Sequence, residues 1–280
     1  MVSAHQLVLG LASLSTAFAA YTFPPYQVRN VGEPVGQIKN ISGSTSGPQP
    51  NTLVFSLTVL SVEMYHSYAP GRNATQAKKA ILYISDIFGV PLLQNKLLAD
   101  SFAGNDYLVV MPDLFAGDAI SVEEQEAGLN LTEWRALHPV PAIDAIINKT
   151  IAYMREDLGV ESIGAVGYCF GGKYVPRFLK GSEGVDVGFI AHPSALTEQE
   201  IEAVGGPLSI AAGTLDASFN STAKGRAESI LNGNNVTFQT NLYYGAPHGF
   251  GVRVNQSIPQ QAYAKQASFV QAVTWFNAWL

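Results

Sequence analysis

Gly167-Tyr168-Cys169-Phe170-Gly171-Gly172 is the segment that leaves this chain least freedom in how it folds. It follows Ser162-Ile163-Gly164-Ala165-Val166, which reads as a short buried strand, and precedes Lys173 to Lys180, which reads as the start of a helix. A turn that joins strand to helix within a few residues is sharp. Glycines two residues either side of Cys169 let neighbouring backbones come close there. Cys169 is also the one cysteine in 280 residues, so no internal disulfide can form. The thiol is either a small buried hydrophobe or a working group.

The rest of the chain alternates in the same way. Ala80 to Ser85, Tyr107 to Met111, Val185 to Ala191, Leu208 to Ala212 and Val236 to Tyr243 read as strands. Leu92 to Phe102, Ala142 to Leu158, Ser221 to Leu231 and Gln260 to Trp279 read as helices. In the second of these, Ile143, Ile146, Ile147, Ile151 and Met154 recur at helical spacing. Such alternation predicts an α/β domain whose mostly parallel sheet carries helices on both faces. A nucleophile on a glycine-flanked strand-to-helix turn is the elbow of the α/β-hydrolase fold, written here G-x-C-x-G instead of G-x-S-x-G.

A hydrophobic content of 47% describes a chain with ample core, and the net charge of -6 argues against nucleic acid as a partner. Leu7 to Ala20 is apolar and small, with Ala17-Phe18-Ala19 as a cleavage site, so residues 1–19 are expected to be a secretory signal. The run is short for a membrane span, and none is expected after cleavage. Sequons begin at Asn40, Asn73, Asn130, Asn148, Asn220, Asn235 and Asn255, where chance would give roughly two. The expectation is a secreted, N-glycosylated monomer. A lone thiol in an oxidising compartment then invites a functional explanation. Residues 20–61 read as an irregular arm with an insertion over 42–61, and residues 62–280 as the α/β-hydrolase domain.

Ligands bind at the carboxyl ends of strands in such sheets. The polar residues just past strand ends are Asp86, Asp113, Cys169, His192, Asp216 and His248. A thiol nucleophile needs a base, and the base needs a third group to fix its tautomer. The chain order nucleophile, acid, histidine selects Cys169, Asp216 and His248. His192 precedes Asp216 and breaks that order; it reads as a packed or substrate-lining histidine. The backbone N–H groups of Phe170 and Ile87 are the candidates for an oxyanion hole.

Ser85-Asp86-Ile87-Phe88-Gly89, Met111-Pro112-Asp113-Leu114-Phe115, the Cys169 elbow and His248-Gly249-Phe250 together resemble the dienelactone hydrolase family. Ala191-His192-Pro193-Ser194 and Trp275-Phe276 are similar to its fungal branch. The resemblance implies a Cys169-Asp216-His248 triad that hydrolyses enol-lactones and related esters without a metal or other cofactor. It also implies an acidic residue beside the thiol, here Asp86 where bacterial members carry Glu. It further implies arginines that bind a substrate carboxylate, with Arg253 the best match and Arg135 a second candidate.

Two rivals stay open: another thiol-dependent acyl-transfer enzyme or peptidase, and a secreted binding protein that keeps the fold without activity.

Overall fold

The computed structural model describes residues 26–42, 61–69, 71, 72, 74 and 77–280. The expected signal, the sequon at Asn73 and most of the expected insertion lie outside the described residues. Eight strands form one sheet: β1 (Gln37–Ser42), β2 (Ser61–Ser67), β3 (Lys79–Ile84), β4 (Leu108–Pro112), β5 (Ser162–Tyr168), β6 (Val187–Ala191), β7 (Leu208–Leu215) and β8 (Phe238–Pro247). Their order is β1-β2-β4-β3-β5-β6-β7-β8. β1 pairs antiparallel with β2 and β2 with β4, while every later pair is parallel.

Helices cover both faces, as the alternation predicts. They are α1 (Leu93–Ala103), α2 (Val122–Glu126), α3 (Leu131–Leu137), α4 (Val140–Ala152), α5 (Tyr174–Phe178), α6 (Glu198–Glu202), α7 (Ser221–Gly233) and α8 (Pro259–Trp279). The period-2 alternation of strand side chains divides the interior. Ala80, Leu82 and Ile84 of β3 join Ile143 and Ile147 of α4 and Leu231 of α7 on one face. Ile81 and Tyr83 join Phe102 of α1 and Phe269 and Phe276 of α8 on the other. Both faces of β3 are therefore dry, which is why the strand reads as an unbroken apolar run.

The arm departs from the irregular segment expected of it. Residues 37–42 add an edge strand, and Asp100 of α1 ties the arm down. The buried Asp100 carboxylate accepts hydrogen bonds from Arg29 Nη1 (2.8 Å), the Val35 N–H (3.0 Å), Tyr65 Oη (2.7 Å) and Ser67 Oγ (2.7 Å). A buried carboxylate is stable only when its lone pairs are met, and here the arm meets two of them. This partnership spans more than sixty residues of sequence, so no local pattern announces it.

Candidate active site

β5 ends at Tyr168, and the chain turns at once through a 3-10 segment, Cys169–Lys173, into α5. Cys169 holds φ at +51°, in the left-handed region. For a side-chain-bearing residue this conformation costs about 1–3 kcal/mol and persists only where surrounding packing enforces it. The packing is visible at Gly171, where a Cβ would lie 2.0 Å from the Ile84 carbonyl oxygen. Glycine there lets the start of the helix press against the end of β3. That contact brings the Phe170 N–H and the loop after β3 to the same side of the sheet. Phe170 is the second residue of the helical turn, so its N–H has no acceptor within that turn.

Cys169 is half-buried, with its sulfur facing the loops after β7 and β8. His248 Nε2 lies 3.0 Å from Cys169 Sγ. On its other side, His248 Nδ1 lies 3.0 Å and 3.1 Å from the two carboxylate oxygens of Asp216. The Asp216 carboxylate is fully buried and also accepts the Ser218 N–H (2.8 Å) and the Phe219 N–H (3.2 Å). Burial pushes the Asp216 carboxyl up, but the hydrogen bond and charge of His248 and the two N–H groups outweigh it, and the group sits below its usual range. Burial likewise pushes His248 down, yet its hydrogen bonds to Asp216 and Cys169 carry it up to about 10. The ring thus stands between the Cys169 sulfur and the Asp216 carboxylate.

Two features of the sheet make this convergence. The β7–β8 register slips between Gly213 and Leu215, and such an irregularity re-aims the strand ends. Beyond β8, Phe250 is fully buried against the rings of His192 and Tyr243 and anchors the His248 loop. Burying a ring of that size contributes about 2–3 kcal/mol.

Asp86 is held within its own loop. Its Oδ1 accepts the Phe88 N–H (3.1 Å) and Asn95 Nδ2 (2.8 Å), which makes it the keystone of the loop after β3. Among the described residues its hydrogen bonds run to these two and not to Cys169, so the hydrogen bond to the thiol that the resemblance implied is not made. The side chain is short, and Asn95, fixed in turn by Tyr83 Oη (3.0 Å), holds it. Burial raises the Asp86 carboxyl, against the opposing pull of Asn95, Arg253, the Phe88 N–H and His248. The same loop carries Ile87, whose carbonyl accepts the Ile120 N–H (3.0 Å).

The remaining expectations divide. Arg253 lies with its guanidinium carbon 3.8 Å above the Phe88 ring, between the Asp86 and His248 loops. Arg135 is exposed on α3, and no hydrogen bond or ion pair among the described residues links it to the cluster. Asp113 shapes the turn after β4 by accepting the Phe115 N–H (3.0 Å) and the Gly117 N–H (2.6 Å). His192 is fully buried behind His248, with ring centroids 5.3 Å apart, and burial holds it well below its ordinary range. It is packed away from the sulfur side of His248, as one of the two readings of its place in the chain order has it. Phe115, Trp134, His138 and Phe170 pack ring on ring above the elbow. Sequence reasoning passed over Ser194, whose Oγ lies 3.8 Å from Cys169 Sγ. Its signal was its place in Ala191-His192-Pro193-Ser194, two residues after His192 at a strand end.

Comparison with known proteins agrees with this fold. Residues 67–280 match the model of the Dienelactone hydrolase family. The chain is 43% identical over 219 residues to "Hydrolase pyvD" of Aspergillus violaceofuscus, covering 78% of this chain and 87% of that protein. It is 26% identical over 207 residues to "Dienlactone hydrolase 1" of Gibberella moniliformis, covering 71% and 78%. Among solved structures, a putative dienelactone hydrolase from Klebsiella pneumoniae superposes with a TM-score of 0.67 at 16% identity, over 88% of this chain and all of that one, a likeness of fold.

Proposed function

This chain belongs to the dienelactone hydrolase family and is an ester or lactone hydrolase, and we propose that it opens its substrate through a thioester on Cys169. The observation that carries the proposal is the placement of one imidazole between two partners, Nε2 at 3.0 Å from the sulfur and Nδ1 at 3.0 Å from Asp216.

In this mechanism the sulfur, as thiolate beside the His248 imidazolium, attacks the ester carbonyl carbon. The carbonyl oxygen takes up the negative charge and is met by the N–H groups of Phe170 and Ile87, fixed donors of the kind that stabilise such an oxyanion. The intermediate collapses with loss of the alkoxide or enolate, which takes the proton from His248 Nε2. The neutral imidazole then deprotonates a water that attacks the thioester. The acid is released, and sulfur and imidazolium are restored. Asp216 keeps the ring in the orientation and tautomer that both steps require. Thiolate leaves more readily than alkoxide, so the site suits substrates whose own leaving group is good: enol esters, aryl esters and lactones ahead of alkyl esters and amides. Arg253, cationic and stacked over Phe88 five residues after His248, would bind a carboxylate on the substrate.

The test is hydrolysis of p-nitrophenyl acetate by wild type and Cys169→Ala. The expected result is loss of turnover in the variant with an unchanged melting temperature. Equal rates would defeat the nucleophile assignment.

We also propose that the chain is exported and glycosylated. The asparagines at positions 40, 130, 148, 220, 235 and 255 are all exposed. Asn130 and Asn220 have a second reason to be where they are: each caps a helix, accepting the N–H groups of Thr132 and Glu133 or of Thr222 and Ala223. Endoglycosidase treatment of the protein from a eukaryotic secretory host should increase its mobility. No shift would set glycosylation aside.

A further inference from the structure

The loop after β6 is fastened to the elbow at three points, and each brings Ser194 toward the sulfur. The Ser194 N–H donates to the Cys169 carbonyl oxygen at 2.9 Å. Lys173 Nζ donates to the Ala195 carbonyl oxygen at 3.1 Å. Gly172 lies so close to Pro193 that a Cβ there would stand 2.7 Å from the proline Cβ. The loop is also strained: His192 and Ala195 hold φ at +39° and +52°, flanking Ser194, as Cys169 does at +51° across from it. Left-handed residues with side chains cluster where a fold fixes a geometry at some cost.

That geometry places the nearly buried Ser194 hydroxyl 3.8 Å from Cys169 Sγ. His248 approaches the same sulfur, and the Asp86 carboxylate of the loop after β3 is occupied by Asn95 and Phe88. Among the described residues the sulfur thus has two hydrogen-bond partners, His248 and Ser194. We infer that Ser194 is a catalytic residue, whose hydroxyl donates a hydrogen bond to the Cys169 thiolate and stabilises it before attack. When the thioester forms, the sulfur loses its charge and this bond weakens. It re-forms as the thiolate departs during deacylation, so the hydroxyl assists the step in which sulfur is the leaving group. A serine hydroxyl does not titrate in the working range, so its contribution is steady with pH where a carboxylate's would not be.

The inference rests on Cys169 as nucleophile, and the experiment keeps the two apart. Iodoacetamide alkylation of Cys169 is followed against pH in wild type, Ser194→Ala, Ser194→Thr and Ser194→Val, beside p-nitrophenyl acetate kinetics and thermal melting. In Ser194→Ala the alkylation midpoint is expected to rise by about one unit and kcat to fall about ten-fold, as for loss of one charge-assisted hydrogen bond. KM and melting temperature should change little. Threonine should restore the midpoint relative to valine, an isosteric pair that carries the comparison if the alanine variant misfolds. An unmoved midpoint, or an activity loss that follows melting temperature alone, overturns the role of Ser194. Full activity in Cys169→Ala would instead remove the nucleophile on which it depends.

Discussion

Gly171 and Ile84 approach so closely that a single added carbon on the glycine would lie 2.0 Å from the carbonyl oxygen of the isoleucine. The contact joins the elbow to the end of β3, the strand whose loop carries Ile87. Because the obstructing atom is backbone, no rotamer change can relieve the clash. Gly171→Ala is expected to cost about 3 kcal/mol or more, or to prevent folding, as a thermal or urea melt would show. A variant as stable as wild type would mean that the elbow has slack the structure does not display.

Asp216 is expected to act through His248 and not on the substrate. Asp216→Asn keeps an oxygen for the Ser218 and Phe219 N–H groups but favours the wrong imidazole tautomer. A fall in kcat of about 100- to 10,000-fold, with KM for the ester little altered, is the expected result. Steady-state kinetics on p-nitrophenyl acetate measure it. A change in KM alone would place Asp216 in binding instead.

The Cys169 elbow and the loops after β7 and β8 were legible in the sequence because each is local. Glycine spacing marks the turn at Cys169, and strand ends mark Asp216 and His248. The order of the three along the chain did the rest. Strand and helix bounds agree to within a few residues where both faces are buried, as in β3. What stayed hidden depends on distant partners. Asp100 reads as one more helix residue until Arg29 and Tyr65 arrive. Asp86 looks like a carboxylate free to meet the thiol until Asn95 takes it. Ser194 closes the Ala191-His192-Pro193-Ser194 segment, but nothing local in that segment shows that its loop folds onto Cys169.

His66 on β2 is fully buried, and neither ring nitrogen has a hydrogen-bond partner among the described residues. Burial, helped by the charge of Lys39, lowers it to about 4. A depressed histidine stays neutral in the fold, so its contribution is complete above the unfolded value near 6.5 and is lost as pH falls from there toward 4. The loss amounts to at most about 3 kcal/mol. Urea midpoints at pH 7 and pH 4.5 should therefore converge in His66→Phe relative to wild type. His192, lowered in the same direction, should leave part of the slope in place. Equal slopes in the two proteins would mean that His66 is solvated.

Arg253 is expected to distinguish substrates by charge. Arg253→Gln should raise KM about ten-fold for an aryl ester bearing a free carboxylate and leave a neutral ester of the same alcohol almost unchanged. Equal effects on the two esters would assign Arg253 to supporting the Phe88 and His248 loops, through its place over the Phe88 ring.

The covalent intermediate is the central claim, and trapping it is the most direct test. Wild-type protein mixed with p-nitrophenyl acetate, quenched in acid within the first turnovers and digested, should yield the Cys169 peptide carrying one acetyl group. A burst of nitrophenolate equal to the enzyme concentration should accompany it where deacylation is the slower step. An acetyl group on another residue, with Cys169→Ala still turning over at the wild-type rate, would contradict the account.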